Sequence, residues 1–203
     1  AGLFRSADGG TNYASIAQLS TARTFGQTTT ALDDFGGGNV FDELSTVTVR
    51  VTAGGGTLSS YSAEQVLAGS GLYLIGSEIV GAKIATQVSA GVYRLSGLLR
   101  GQRGTEWAMG THVDEERFVA LPVSDQAMSY ADVGVVRHFK AVTVGQAVAD
   151  TAEVPFVSYG VRLKPFAPVL LGGGVDGSDD VRLSWTRRTR IGGGGLTGVA
   201  PLG

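Results

Sequence analysis

Val47, Val49 and Val51 alternate with Thr48, Arg50 and Thr52, the period-two pattern of a strand with one buried face. A Gly54-Gly55-Gly56 turn follows, then the segment Thr57-Leu58-Ser59-Ser60-Tyr61. Residues 72–75 and 78–88 read as strands around a Gly76-Ser77 turn, and Ala90-Gly91 turns the chain into a strand at 92–95. A further strand is predicted at 117–121, ending before Pro122. Residues 135–144 and 154–163 alternate less regularly. Helical signals are confined to 62–68 and 124–131, one or two turns each, and such short pieces depend on packing for stability. Residues 26–40 are polar and Gly-rich with Thr28-Thr29-Thr30 in a row, and read as loop. No internal repeat of 20–50 residues is present. Short strands at regular spacing predict a mainly β, antiparallel fold of the sandwich or barrel type.

A boundary is expected at residues 165–168, where Pro165 and Pro168 flank Phe166-Ala167 and hold the chain extended. The β-rich region would then be residues 1–164. Residues 169–203 start a new pattern: Val169-Leu170-Leu171, a Gly run, a turn at 176–180, then Val181-Arg182-Leu183-Ser184-Trp185. This reads as the first two strands of a further, incomplete β-sandwich. Together with a start at Ala1 and an end at Pro201-Leu202-Gly203, it leads to the expectation that the chain is a piece of a longer polypeptide.

Composition sharpens the fold class. Gly supplies 32 of 203 residues, about twice the usual ~7%, which disfavours helical bundles and coiled coils. Cysteine is absent, excluding disulfides, thiolate nucleophiles and Cys-ligated zinc. Sixteen basic against eighteen acidic residues give a net charge of −2, so no nucleic-acid binding is expected. No apolar run reaches the ~18 residues of a membrane helix, and residues 1–10 lack the cationic and apolar regions of a signal peptide.

Candidate chemistry is sparse. His112 and His138 lie 26 residues apart without a metal-ligand spacing, and His112 followed by Asp114, Glu115 and Glu116 reads as a solvated acidic turn. No cofactor or metal is expected. Glu78 and Glu106 are the carboxylates a glycosidase would need, but separation along the chain does not place them about one bond. Ser6, Ser77 and Ser96 lack a nucleophile elbow, and the Gly runs precede no long helix. Arg187-Arg188-Thr189-Arg190 reads as a solvated strand or an interface with a carboxylate partner. The most individual segment is residues 93–106, where Arg94, Arg100, Arg103 and Glu106 surround Gly97, Gly101 and Gly104. Glu106 is a candidate partner for Arg100 or Arg103, and the segment reads as a turn held by an internal ion pair rather than a ligand grip.

That segment, Tyr-Arg-Leu-Ser-Gly-Leu-Leu-Arg-Gly-x-Arg-Gly-Thr-Glu, followed by His112 and Glu116-Arg117-Phe118-Val119, resembles the large tail-tip protein (baseplate hub, host-specificity protein) of long-tailed bacteriophages and gene transfer agents. Arg5-Ser6-x-Asp8-Gly9-Gly10, Leu67-Ala68-Gly69 with Gly76-Ser77-Glu78-Ile79, Leu163-Lys164-Pro165-x-x-Pro168-Val169 and Ser184-Trp185-x-Arg187-Arg188-x-Arg190 resemble further segments of that family in the same order. Val80-Gly81-Ala82 and Glu115-Glu116 depart from its pattern. The resemblance implies a structural protein rather than an enzyme, forming the central hub or spike that closes the tail tube. It implies a homotrimer in the virion tail tip, assembled in the bacterial cytoplasm. Its partners would be distal tail and baseplate proteins, the tape measure protein, receptor-binding fibres and the host envelope. The sandwich begun at 169 would be fibronectin-type-III-like. The alternative functions are a cell-wall glycan hydrolase and a carbohydrate-binding module, the latter using aromatics such as Trp107 or Tyr73. Relatives in gene transfer agents can carry a TIM-barrel-like, hydrolase-related domain, which nothing in these 203 residues matches.

Overall fold

The alternation at residues 47–51 is realised as a strand whose three valines are 0%, 0% and 7% exposed while Arg50 faces solvent. It is one stave of a closed ring. The computed structural model describes residues 1–18, 23–37, 40–52, 55–121, 129–163 and 169–186, and divides into two compact units, Ala1–Tyr159 and Gly160–Gly203. In chain order the first unit carries β1 (Gly2–Ser6), β2 (Ala14–Gln18), β3 (Phe25–Thr28), β4 (Phe41–Asp42), β5 (Val47–Val51), helix α1 (Ala63–Leu67), β6 (Leu72–Ile75), β7 (Glu78–Ser89), β8 (Val92–Leu99), β9 (Arg117–Ala120), β10 (Val136–Val142) and β11 (Val154–Val157).

Six of these strands close on one another in the order β8-β5-β3-β9-β6-β7, with β7 returning to β8 and β4 attached outside the ring on β8. Every pairing is antiparallel. Closure depends on the length of β7, whose start pairs with β6 (Ile75↔Glu78) and whose remainder pairs with β8 (Ala85↔Leu95). Inward residues fill the small interior, as barrel geometry requires. Val47, Val49, Ile75, Val80, Leu95, Leu98 and Phe118 are all 0% exposed, and Tyr73 stacks on Phe118 with ring centroids 5.2 Å apart. Each such side chain contributes about 1.5–3 kcal/mol by leaving water. At Gly26 the backbones of β3 and β5 approach so closely that a Cβ would collide with the carbonyl oxygen of Arg50.

The expected turn of helix at 62–68 is α1. Its start is fixed by a capping box: Gln65 N donates to Ser62 Oγ (3.3 Å) and Ser62 N to Gln65 Oε1 (2.8 Å). Val66 at 2% exposure packs it over β7, where only a glycine, Gly81, leaves room for the Val66 side chain.

The other four strands form an open antiparallel sheet in the order β11-β10-β1-β2. Its turn after β1 is built by Ser6 and Asp8: Gly10 N donates to Ser6 Oγ (2.9 Å), and Asn12 N and Nδ2 donate to Asp8 (2.9 and 2.7 Å). Gly9 and Gly10 take φ of +74° and +90°, which side-chain-bearing residues resist. Buried Asp132 accepts from Arg5 Nη1 (2.6 Å) on β1 and Arg137 Nε (2.7 Å) on β10.

Several expectations change. The segment read as loop from residue 26 includes β3, because Gly26 hides the period-two signal that its backbone pairing obeys. The strand expected at 154–163 stops at Val157 and gives way to a 3-10 turn at Val161–Leu163. Of the helical signal at 124–131, residues 124–128 lie outside the described residues and Tyr130–Asp132 is a single 3-10 turn. The expected Pro-rich boundary at 165–168 also lies outside them. In the second unit β12 (Val169–Val175) and β13 (Val181–Thr186) form an antiparallel hairpin with Val175 opposite Val181. Asp176 caps its turn, accepting from Ser178 N, Asp180 N and Arg182 Nε. Val181, Leu183 and Trp185 lie on one face of β13 and are exposed.

Candidate functional site

Alternation puts Glu78 in phase with Val80 and Ala82, on the buried face of β7. An acid there must find a cation, because an unpaired charge out of water is strongly unfavourable. The cation is Arg100, which follows β8 in phase with buried Leu98. Both side chains are 0% exposed. Arg100 Nε donates to Glu78 Oε1 and Oε2 (3.0 and 3.2 Å) and Nη2 donates to Oε2 (2.9 Å). Nη1 reaches the Asp33 carbonyl (2.9 Å) and Asp42 Oδ2 (3.4 Å), and Nη2 the Met109 carbonyl (3.1 Å). The five N–H groups of a guanidinium are thereby used.

Of the two arginines considered for Glu106, Arg100 is excluded, since its ion-pair partners are Glu78 and Asp42. Glu106 instead opens a 3-10 turn, and its Cγ stands 2.9 Å from where a Cβ of Gly101 would be. Gly101 at φ +60° therefore brings the chain close enough for its N–H to donate to Glu78 Oε1 (2.6 Å). Arg103 sits half-buried in the turn Gln102–Gly104 at φ 57°. Arg94 is on the outer barrel surface, away from the cluster, with Thr48 and Thr86 as its cross-strand neighbours. Arg187, Arg188 and Arg190 lie outside the described residues.

His112 is a second correction. Asp114 and Glu115 are exposed, as a solvated turn requires, but the His112 side chain is 1% exposed and Glu116 turns inward beside it. Nε2 lies 2.7 Å from Glu78 Oε2 and Nδ1 lies 2.7 Å from Glu116 Oε2. Ionised carboxylates only accept, and a neutral imidazole has one donor, so the imidazolium is the form that satisfies both contacts. Burial alone would push its pKa down. The hydrogen bonds and charges of Glu78 and Glu116 outweigh that and hold it above the ordinary imidazole value. Burial likewise works to raise the Glu78 pKa, and His112, Arg100 and the Gly101 N–H together hold it below the ordinary carboxylate value. Asp42 is lowered against its own burial by Ser45, the Leu44 N–H and Arg100.

The cluster ties the start of β7, the end of β8, the turns at 101–112 and the entry to β9 into one closed knot. Thr105 adds to it by accepting from Ile79 N (2.9 Å). No buried side-chain nitrogen or oxygen among the described residues lacks a partner. The acceptor positions of Glu78 are occupied by Arg100, Gly101 and His112, so the carboxylate is not free to act as base or nucleophile. Among the described residues no group of three or more His, Asp or Glu is arranged to hold a metal ion. His138 is elsewhere, in the open sheet, bonded through Nδ1 to Glu153 Oε1 (2.6 Å).

Residues 23–119 match the family model described as Rcc01698-like, C-terminal. The matched stretch covers a little under half of the chain and has nearly the limits of the barrel, which runs from Phe25 to Ala120. No curated protein matches the chain.

Proposed function

We propose that this chain is a structural component of the tail tip of a long-tailed bacteriophage or gene transfer agent, part of the hub that closes the tail tube and links it to host attachment. One observation carries the reading: several residues of the segments that resemble the tail-tip family, Arg5, Ser6, Asp8, Glu78, Arg100, Gly101 and His112, hold the fold. Ser6, Asp8 and Gly10 form a turn, and Arg5 secures Asp132. Glu78, Arg100, Gly101 and His112 form a sealed ionic knot with no acceptor left for a substrate. Such chemistry suits a scaffold that must keep its shape rather than a hydrolase. On the same reading the chain assembles as a homotrimer, and hairpin β12–β13 opens a fibronectin-type-III-like sandwich.

The test is to place an epitope in the exposed turn at residues 176–180 and label particles from the encoding organism with gold-tagged antibody. Label at the tail end distal to the head, with a trimeric mass for the purified chain by light scattering, is the expected result. Label on the head, no label on particles, or turnover of peptidoglycan by the purified chain would overturn the reading.

A further inference from the structure

The outer surface of the barrel carries three arginines that the fold does not use. Cross-strand register puts Thr48 opposite Arg94, Arg50 opposite both Val92 and Gln27, and Gln27 opposite Arg117. Directly paired residues share a face, so Arg94, Arg50 and Arg117 point outward together across β8, β5, β3 and β9. Arg50 and Arg94 are diagonal neighbours at about 7–8 Å, and Arg50 and Arg117 are two strands apart, about 10 Å. All three are exposed, and none has a hydrogen-bond or ion-pair partner among the described residues. Like charges directly opposite one another destabilise a sheet, and at these diagonal and two-strand separations the repulsion is weaker but of the same sign. The chain has eighteen acids against sixteen bases, yet none of the described acids forms an ion pair with this row.

We infer that this row is a docking surface for an acidic polypeptide segment of a partner protein. Guanidinium forks match carboxylates in paired hydrogen bonds. Phe25, on the same face of β3 as Gln27 and 52% exposed, adds an aromatic anchor beside the charges. Arginine and aromatics together are the residues that protein interfaces favour, whereas a bare polyanion would use the charges alone. The inference is independent of the tail-tip reading.

The probe is fluorescently labelled poly-L-glutamate, titrated with the full chain at low salt, against inorganic polyphosphate of matched charge. The expected result is saturable binding of the glutamate polymer that weakens as salt rises. Replacing the row (Arg50→Ser, Arg94→Ser, Arg117→Ser together) weakens it at least tenfold, with an unfolding midpoint equal to or above that of the parent. Arg182→Ser, at an arginine already paired with Asp176, leaves binding unchanged. No binding, equal binding by the triple variant, a lowered midpoint in that variant, or tighter binding of polyphosphate would each overturn the assignment.

Discussion

Replacing Glu78 by alanine is the severest test of how the barrel end is held. The substitution leaves the Arg100 guanidinium, 0% exposed, with Asp42 at 3.4 Å and two carbonyls as its only hydrogen-bond partners. It also strips an acceptor from the Gly101 N–H and from His112 Nε2. Breaking one side of a buried ion pair costs about 3–5 kcal/mol. An orphaned backbone N–H adds about 1–3 kcal/mol where water does not reach it, so water entering the gap brings the total toward 3–5. In urea, with an m value of about 2 kcal/mol/M, that is a fall in midpoint of about 1.5–2.5 M. Trp107 and Trp185 are exposed and poor reporters, so unfolding of the full chain is best followed by near-ultraviolet circular dichroism from buried Tyr73 and Tyr93. Glu106→Ala is the comparison: half-buried and outside the Arg100 shell, it should shift the midpoint by under about 0.5 M. A Glu78→Ala shift that small, or a Glu106→Ala shift as large as that of Glu78→Ala, would refute the reasoning.

Stability should peak between the ordinary pKa values of Glu78 (4.5) and His112 (6.5). The raised His112 contributes fully below 6.5 and its contribution is lost as pH rises through its folded value, while the lowered Glu78 contributes fully above 4.5 and fails as pH falls through its own. Urea midpoints across pH check this, and His112→Gln should flatten the alkaline side; a profile unchanged by that substitution counts against the knot. Gly26→Ala should cost about 3 kcal/mol or more, because the new methyl meets backbone rather than a movable side chain; near-parental stability by the same melts would contradict the close approach. Amide hydrogen exchange should be slowest at Val49, Leu95 and Phe118 and fast throughout β12–β13, whose two strands have no third neighbour among the described residues.

Most staves of the ring were legible from local pattern. Val47, Val49 and Val51 show their buried face directly, and Gly76 and Gly91 mark the two hairpins at φ +56° and +70°. The closure was not legible, because β3 pairs with β9 some ninety residues later through a segment whose glycine masks alternation. The ionic knot was half legible. Glu78 and Arg100 each stand in phase with core residues, which is a sequence signal that both are buried and must be paired. Proximity along the chain pointed to Glu106 instead, because sequence spacing does not reveal that the β7–β8 hairpin folds residue 100 back over residue 78. Half of the His112 site was local, since Glu116 stands four residues on, but Glu78 lies on β7 and only the ring brings it to the imidazole.

The register of the ring has a consequence for how the chain is composed. The barrel's first and last strands are neighbours, with Phe25 directly opposite Val119, so the chain enters and leaves it about one strand spacing apart. The open sheet takes β1 and β2 from before the barrel and β10 and β11 from after it. The barrel is therefore an insertion carried on a split host sheet, joined through the two connections at 19–24 and 121–135. Because its ends meet, it makes no demand on the distance between β2 and β10, the condition under which whole modules are grafted into or out of a loop. Exchange of the barrel for another with paired ends would leave the register of β1 with β10 intact, so the host sheet and its guest are free to diversify separately.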